Sequence, residues 1–450
     1  MTSIALCLAA FILCYVQGRK ALWRGVAAVI VVGCFYGILR ANVLQAASHF
    51  IFDAGAAGLY LAIVARPLTR IARIRIRPLM PWIVCLVAWP LLLFLVPIQN
   101  PLVQLVGLRG AIFFLPFLLI GAMLENQDWY NLAWTLAWLN LVALGFALAE
   151  VHFGLTRFYP FSAVTRIIYM SEDVRAGQTF VFRIPAIFTS SAAYAGMMTA
   201  SVPLLAGALS LKLRQRSQRY LFLAALAAAA LGVFLAASRT QAVILIMLIV
   251  GVCFSGRMRA LPVAGWIAII GGVALVVSMV PRLQRFTTLN NTGYVENRIE
   301  GSVNDDFLDL MVEYPMGNGL GGGGTSMPYF LQGLIKNPIG IENDYARIML
   351  EEGIPGLLLW VAFIVWIFTR PSPRESERWY LARWLARFVC MLAFAEGMIG
   401  TGMLTAIPGT AVMLMFVGWL AAPAMVPVTQ AVTRYRASER RRAGAMFYHA

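Results

Sequence analysis

Charge is scarce in this sequence. Asp, Glu, Lys and Arg together supply 12% of 450 residues, about half of the ~25% carried by an ordinary soluble domain. That shortage excludes a soluble globular class. Histidine is rarer still: the three residues, at 49, 152 and 449, form no spacing suited to metal binding. The six cysteines all lie in apolar runs, which argues against a disulfide framework and leaves the compartment undetermined. No internal repeat and no low-complexity linker marks a second, soluble domain. The opening residues, MTSIALCLAAFILCYVQGRK, lack a basic n-region and run directly into another apolar stretch, which predicts a retained span rather than a cleaved leader.

What fills the chain is apolar surface. Hydrophobic residues make up 60% of it, in repeated runs of about 17–25 residues, the length needed to cross a bilayer as a helix. The pattern predicts an all-α polytopic membrane protein of twelve or thirteen spans, near 2–17, 24–43, 47–65, 79–97, 102–124, 129–151, 186–211, 219–238, 240–256, 261–281, 353–369, 382–402 and 405–427. Its parts are N-terminal spans in 1–151, a connection at 152–185, central spans in 186–281, a large connection at 282–352, C-terminal spans in 353–427 and a basic tail at 428–450. Net charge is +16. The clusters at Arg19–Arg24, Arg66–Arg77, Lys212–Arg219, Arg257–Arg259, Arg370–Arg387 and Arg434–Arg442 alternate with apolar runs. That is the placement expected of cytoplasmic loops touching anionic lipid, not of a nucleic-acid surface. The connections at 152–185 and 282–352 then fall on the outer face. Within the second, Ile299, Val303, Phe307, Leu310 and Met311 recur at helical spacing until Pro315 and the glycines after it stop the helix.

Seven charges fall inside or at the edges of spans: Arg40, Asp53, Arg109, Glu150, Arg239, Arg347 and Glu396. In this topology all lie toward the outer ends, which predicts a polar cavity opening on that side. Snorkelling and internal ion pairing are the structural alternative for each one. Three segments converge there: RIPAIFTSSAAYAG with Arg183, LAASRTQAVILI with Arg239 between two spans, and the large connection with Arg282, Arg285 and Arg298. Guanidinium groups at such places are suited to phosphate oxygens. The last part of the connection, GIENDYARIMLEEGIPG, crowds five charges against an apolar run. Read as a helix from about Asn343, it puts Asp344, Arg347 and Glu351 on one face as an intrahelical ladder. Gly317, Gly319 and Gly322 match G-x-G-x-x-G, but without a preceding strand or βαβ unit this predicts a flexible turn that lets backbone approach a head group, not a nucleotide site.

These residues resemble the O-antigen ligase and Wzy-type polysaccharide polymerase superfamily over about 180–365. The carriers are Ser238-Arg239-Thr240 opening a span, Arg298 seventeen residues before Pro315, the Pro315-x-Gly317-x-Gly319 element, Asn343, and Glu351 or Glu352 with Gly353 and Gly356. The resemblance implies transfer of a glycan from an undecaprenyl-pyrophosphate carrier on the periplasmic face of a bacterial inner membrane, with no cofactor, metal or nucleotide. It assigns the pyrophosphate to Arg239 and Arg298, with Arg183 and Arg347 as further candidates, and makes Asn343, Gly317 and Gly319 candidate substrate contacts; Arg109, one of the intramembrane charges, is another candidate contact from its position alone. Glu342 stands where the family carries histidine and is the candidate base; a helix N-terminal acid favoured by the dipole is the other reading. A repeat polymerase is the preferred activity, a ligase acting on a lipid A-core acceptor the second, and a lipid-linked glycan transporter the rival from another class. Implied partners are the lipid-linked donor, a glycan or lipid-linked acceptor, membrane lipids and, as a candidate, a chain-length regulator.

Overall fold

The computed structural model describes residues 1–170, 175–176, 179–180, 182–211, 215–254, 293, 296, 300, 307–324, 327–341, 343–371 and 378–423. The chain is an α-helical bundle. Its helices are α1 (Thr2–Lys20), α2 (Leu22–Asn42), α3 (Ile51–Val64), α4 (Arg70–Ile76), α5 (Met80–Phe94), α6 (Pro101–Ile112), α7 (Pro116–Met123), α8 (Asn126–Phe153), α9 (Arg166–Met170), α10 (Ser191–Ser210), α11 (Arg216–Leu235), α12 (Arg239–Phe254), α13 (Phe307–Glu313), α14 (Asp344–Thr369), α15 (Tyr380–Glu396) and α16 (Gly409–Ala421). The only strands among the described residues are β1 (Arg175–Ala176) and β2 (Thr179–Phe180), an antiparallel pair in the first long connection.

Among the described residues, eight helices, counting a short 3₁₀ turn with α3 and α6 with α7, are long and apolar enough to cross a membrane; a ninth arises if α4 and α5, bent by 61°, count as one span. The twelve or thirteen expected spans differ for identifiable reasons. The segment 261–281 lies outside the described residues. The apolar stretches Arg239–Gly251 in α12 and Gly409–Ala421 in α16 are shorter than a full span, and α15 carries Arg383, Arg387 and Glu396 in its 17 residues. One boundary also moves. Helix α14 starts earlier, at Asp344, but non-helical Gly353 breaks it at the residue where the span was expected to begin.

Local sequence explains the breaks. Pro116 cannot donate a backbone N–H to Ile112, so the run 101–123 divides at Phe113–Leu115 into α6 and α7. Small residues set the closest helix contacts. A Cβ added at Gly121 would stand 1.9 Å from Met415 O, and one at Gly418 would stand 1.9 Å from Leu118 O. α7 and α16 thus touch backbone to backbone, the usual close packing of membrane helices. α1 lies against α2 and α3, and α10 sits centrally against α8, α11 and α15. Ile4, Leu8, Leu91, Leu148, Leu231, Val361 and Val365 remain exposed on the bundle surface, an apolar exterior suited to lipid.

The two ends of the bundle differ in chemistry. At one end arginines donate to helix-terminal carbonyls: Arg19 to Ala65, Arg370 to Ala421, Arg383 to Trp419 and Arg387 to Arg370. Such cations satisfy the last carbonyls and complement the helix dipole. The opposite ends of these helices carry the intramembrane charges.

Candidate functional site

A cavity of about 480 Å³ opens at the end away from those arginines, within the range usual for small-molecule sites. α2 brings Tyr36 and Arg40 to it, the 3₁₀ turn Ala46–Phe50 brings His49, α6 brings Arg109, and α15 brings Glu396. Ser238 and Gln241 approach from the start of α12, beside Glu396. Deeper in the bundle the lining turns apolar at Met197, Ile244, Val389, Met413 and Phe416. The expected polar cavity therefore exists, and three of the seven singled-out charges line it.

Its polar groups are held differently from one another. Arg109 is gripped by Asp53, with Nη2 at 2.7 Å from Oδ1 and 2.9 Å from Oδ2, and Nε at 3.1 Å from Oδ1. Glu396 accepts from the Gln241 amide at 2.9 and 2.7 Å, which fixes the carboxylate in the lining. Arg40 places its guanidinium carbon 5.3 Å from the Tyr36 ring centroid. Tyr36 Oη donates to His49 O at 2.9 Å.

The RIPAIFTSS segment reaches the cavity as extended chain. Glu150 Oε2 accepts from Ala186 N at 3.0 Å, and Tyr159 Oη bonds the Ala186 and Phe188 carbonyls. Glu150 is thereby a structural anchor for that segment. Thr189 and Ser190 then meet the cavity, and the Ser190 hydroxyl caps α10 by accepting from Ala193 N. Arg183 donates to Ala236 O at 3.3 Å, one turn before the half-buried Arg239. Two of the arginine segments expected to converge do meet, at the Ala236–Arg239 turn.

A second polar cluster is sealed. Asn343 caps α14 through its side-chain oxygen, which accepts from Ala346 N at 2.6 Å. Arg347 Nε lies 3.3 Å from Asp344 Oδ1 and its Nη1 lies 3.3 Å from Glu351 Oε2. All three side chains are at most 2% exposed. Asp344 Oδ2 also accepts from Gly402 N and Met403 N, at 2.9 and 2.7 Å, so the ladder pins the loop between α15 and α16. Arg347 and Asn343, expected as substrate contacts, line no part of the large cavity. Their polar groups are used inside the protein.

The glycine loop is likewise a built element. Gly317, Gly319 and Gly321 have φ of 86°, 87° and 79°, open to glycine at little cost. Gly317 packs on Gly353, whose own φ of 70° and ψ of −175° break α14; Ile354 N donates to Pro315 O across this contact at 2.9 Å. Gly319 packs on Ile98 and Gln99, and the Gln99 amide bonds Asn318 O and Lys336 O. In place of a flexible turn, residues 318–323 are buried and bonded into the bundle, and neither Gly317 nor Gly319 lines the cavity. The Pro-x-Gly-x-Gly and Glu-x-Gly elements, far apart in sequence, form one interlocked joint.

Glu342 and Arg298 lie outside the described residues, as do Arg282 and Arg285. His49 and Gln241 were not singled out from sequence. The available signal for His49 was its position four residues before Asp53; for Gln241 it was a polar amide on the opening turn of an apolar helix. No cluster of three His, Cys, Asp or Glu side chains arranged for a metal ion occurs among the described residues.

Fold and site together define an all-α, multi-pass membrane protein with a polar-mouthed, apolar-floored cavity at one end. No family model and no curated protein matches the chain.

Proposed function

We propose that this protein is a membrane glycosyltransferase that polymerises undecaprenyl-pyrophosphate-linked oligosaccharide repeats. The observation that carries the reading is the cavity: cations and one fixed carboxylate line its mouth, apolar side chains its depth, at the bundle end opposite the basic loops. By the positive-inside rule that end is non-cytoplasmic, the periplasmic side of a bacterial inner membrane. An amphiphile with a charged head and a prenyl chain has the matching polarity. Confinement of the charged lining to one end favours a transferase over a transporter, which needs polar groups through the full depth.

The chemistry asked of the chain is modest. An acceptor hydroxyl attacks the anomeric carbon of the donor, the bond from that carbon to the phosphate oxygen breaks, and the pyrophosphate departs with the electron pair. Arginines stabilise the charge that develops on it; Arg239 and Arg298 are the candidates from the resemblance. The hydroxyl proton passes to a carboxylate, for which Glu396 in the lining and, from the resemblance, Glu342 are candidates. Positioning both substrates in one cavity supplies much of the remaining rate.

Purified protein given lipid-linked repeats in EDTA is expected to lengthen them. A strict need for divalent metal would sink the arginine-based mechanism. Transfer only to a lipid A-core acceptor would replace polymerase with ligase. In cells, Arg239→Ala should leave single repeats on the carrier; repeats trapped on the cytoplasmic leaflet would favour a transporter.

A further inference from the structure

Arg109 and Arg40 line the same cavity, yet only Arg109 is neutralised within the protein. Arg40 makes no ion pair with any described residue, and its Nε is buried without a hydrogen-bond partner. The ring of His49 packs against Tyr329 and Phe330, each centroid 5.7 Å away, and its Nε2 is also buried and unpartnered. The two residues are tied together through Tyr36, which lies under the Arg40 guanidinium and donates to the His49 carbonyl. Both residues line the cavity, and the Arg40 guanidinium is there without an ion-pair partner among the described residues. A guanidinium left unpaired at a cavity wall suits an anionic acceptor.

We propose that Arg40 and His49 form a phosphate seat in the cavity wall, with oxygens of one phosphate or pyrophosphate group accepting from the Arg40 guanidinium. The seat lies in the N-terminal helices, outside the stretch that resembles polysaccharide polymerases. Naming its occupant as the leaving group of the donor rests on the transferase reading; the anion chemistry does not. The neutral Arg109–Asp53 pair beside it adds donors without adding net charge.

The test uses full-length protein in detergent and two probes, inorganic pyrophosphate and geranylgeranyl pyrophosphate, with binding read by titration and by the rise in Tm. Arg40→Gln is expected to weaken pyrophosphate binding at least tenfold while leaving the ligand-free Tm unchanged or higher. His49→Leu should weaken it several-fold, and Arg157→Gln, at an arginine outside the cavity, should leave it unchanged. Binding of both probes identifies a seat open to free pyrophosphate, and binding of the prenyl form alone identifies a lipid-linked source. Arg40→Gln affinity within twofold of the parent overturns the proposal. Should that variant fold poorly, Arg40→Lys carries the test: it keeps the charge but loses the planar guanidinium fork, so undiminished affinity overturns the proposal equally. Arg40-dependent binding in a protein that elongates no glycan keeps the seat and removes the transferase. Elongation with Arg40-independent binding does the reverse.

Discussion

Two groups of charge sit within this bundle and are handled in opposite ways. At the head of α14, Asp344, Arg347 and Glu351 are sealed from solvent and ion-paired with one another, and Asp344 also accepts from the neighbouring loop amides. Around the cavity, Arg40 has no ion-pair partner among the described residues, and Glu396 is held in the lining by an amide rather than by a cation. Both groups look alike as intramembrane charge. Partnering separates them: the first is fold, the second is available for a ligand. The comparison predicts that substitutions in the ladder cost stability and those in the cavity cost function.

The largest effect is expected at the centre of the ladder. Arg347→Leu would strand two buried carboxylates, and removing one partner of a buried pair typically costs about 3–5 kcal/mol. Folded yield and Tm in detergent should collapse. The pair Arg347→Met with Glu351→Gln should lose less than Arg347→Met alone, since it removes one stranded charge. If Arg347→Leu instead folded normally and lost only transfer, the ladder would belong to the site and the comparison would fail.

Glu396→Gln tests the other half. The side chain keeps its shape and can still meet Gln241, so Tm should move by under about 0.5 kcal/mol equivalent. Loss of a general base typically lowers rate by about 10²–10⁴-fold, read as repeats added per minute. A variant that elongates at the parental rate would remove Glu396 from the chemistry and leave the role to Glu342. Unfolding would assign Glu396 to the fold.

How far the sequence foretold this contrast depends on the range of the interactions. The ladder was legible, because residues three and four apart on a helix must meet whatever surrounds them. So were most spans, since an apolar run needs no tertiary partner to be recognised, and so was the stop of α13 at Pro315. The single list of intramembrane charges already held Arg347 from the first group and Arg40 and Glu396 from the second, but it could not sort them. Arg40 meets Glu396 around one cavity only because α2 and α15 are brought to the same end of the bundle, a long-range fact with no local mark. The glycine loop reads as slack in sequence for the same reason. Its glycines are there because Gly353, Gln99 and α6 press against them, and each partner is remote in the chain.

That joint supplies the third test. Gly353 combines a φ of 70° with a ψ of −175°, and a Cβ there would stand 2.6 Å from Met316 C. Holding a non-glycine residue in such a region costs about 1–3 kcal/mol before any clash. Gly353→Ala is therefore expected to lower Tm less than Arg347→Leu but clearly. Limited proteolysis should also quicken at Pro315–Gly324, whose packing depends on the break. Unchanged cleavage there would mean that the two motif elements are not mechanically joined.

The smallest expected effect changes one cavity arginine into the likeness of another. Asp53→Asn would remove the charge that neutralises Arg109 while keeping an oxygen to accept one of its hydrogen bonds. Weakening hydrogen bonds to a charged group costs about 1–3 kcal/mol, and the retained contact should hold the loss to the lower end of that range. Arg109 would then stand uncompensated beside Arg40, and the charge around the cavity would rise by one. Inorganic pyrophosphate affinity should rise several-fold, and the gain should shrink as salt is raised toward ~1 M, where screening shortens to about 3 Å. Weaker binding after Asp53→Asn would mean that Asp53 orients Arg109 toward the anion, and that pairing within the protein does not by itself withdraw a charge from the site.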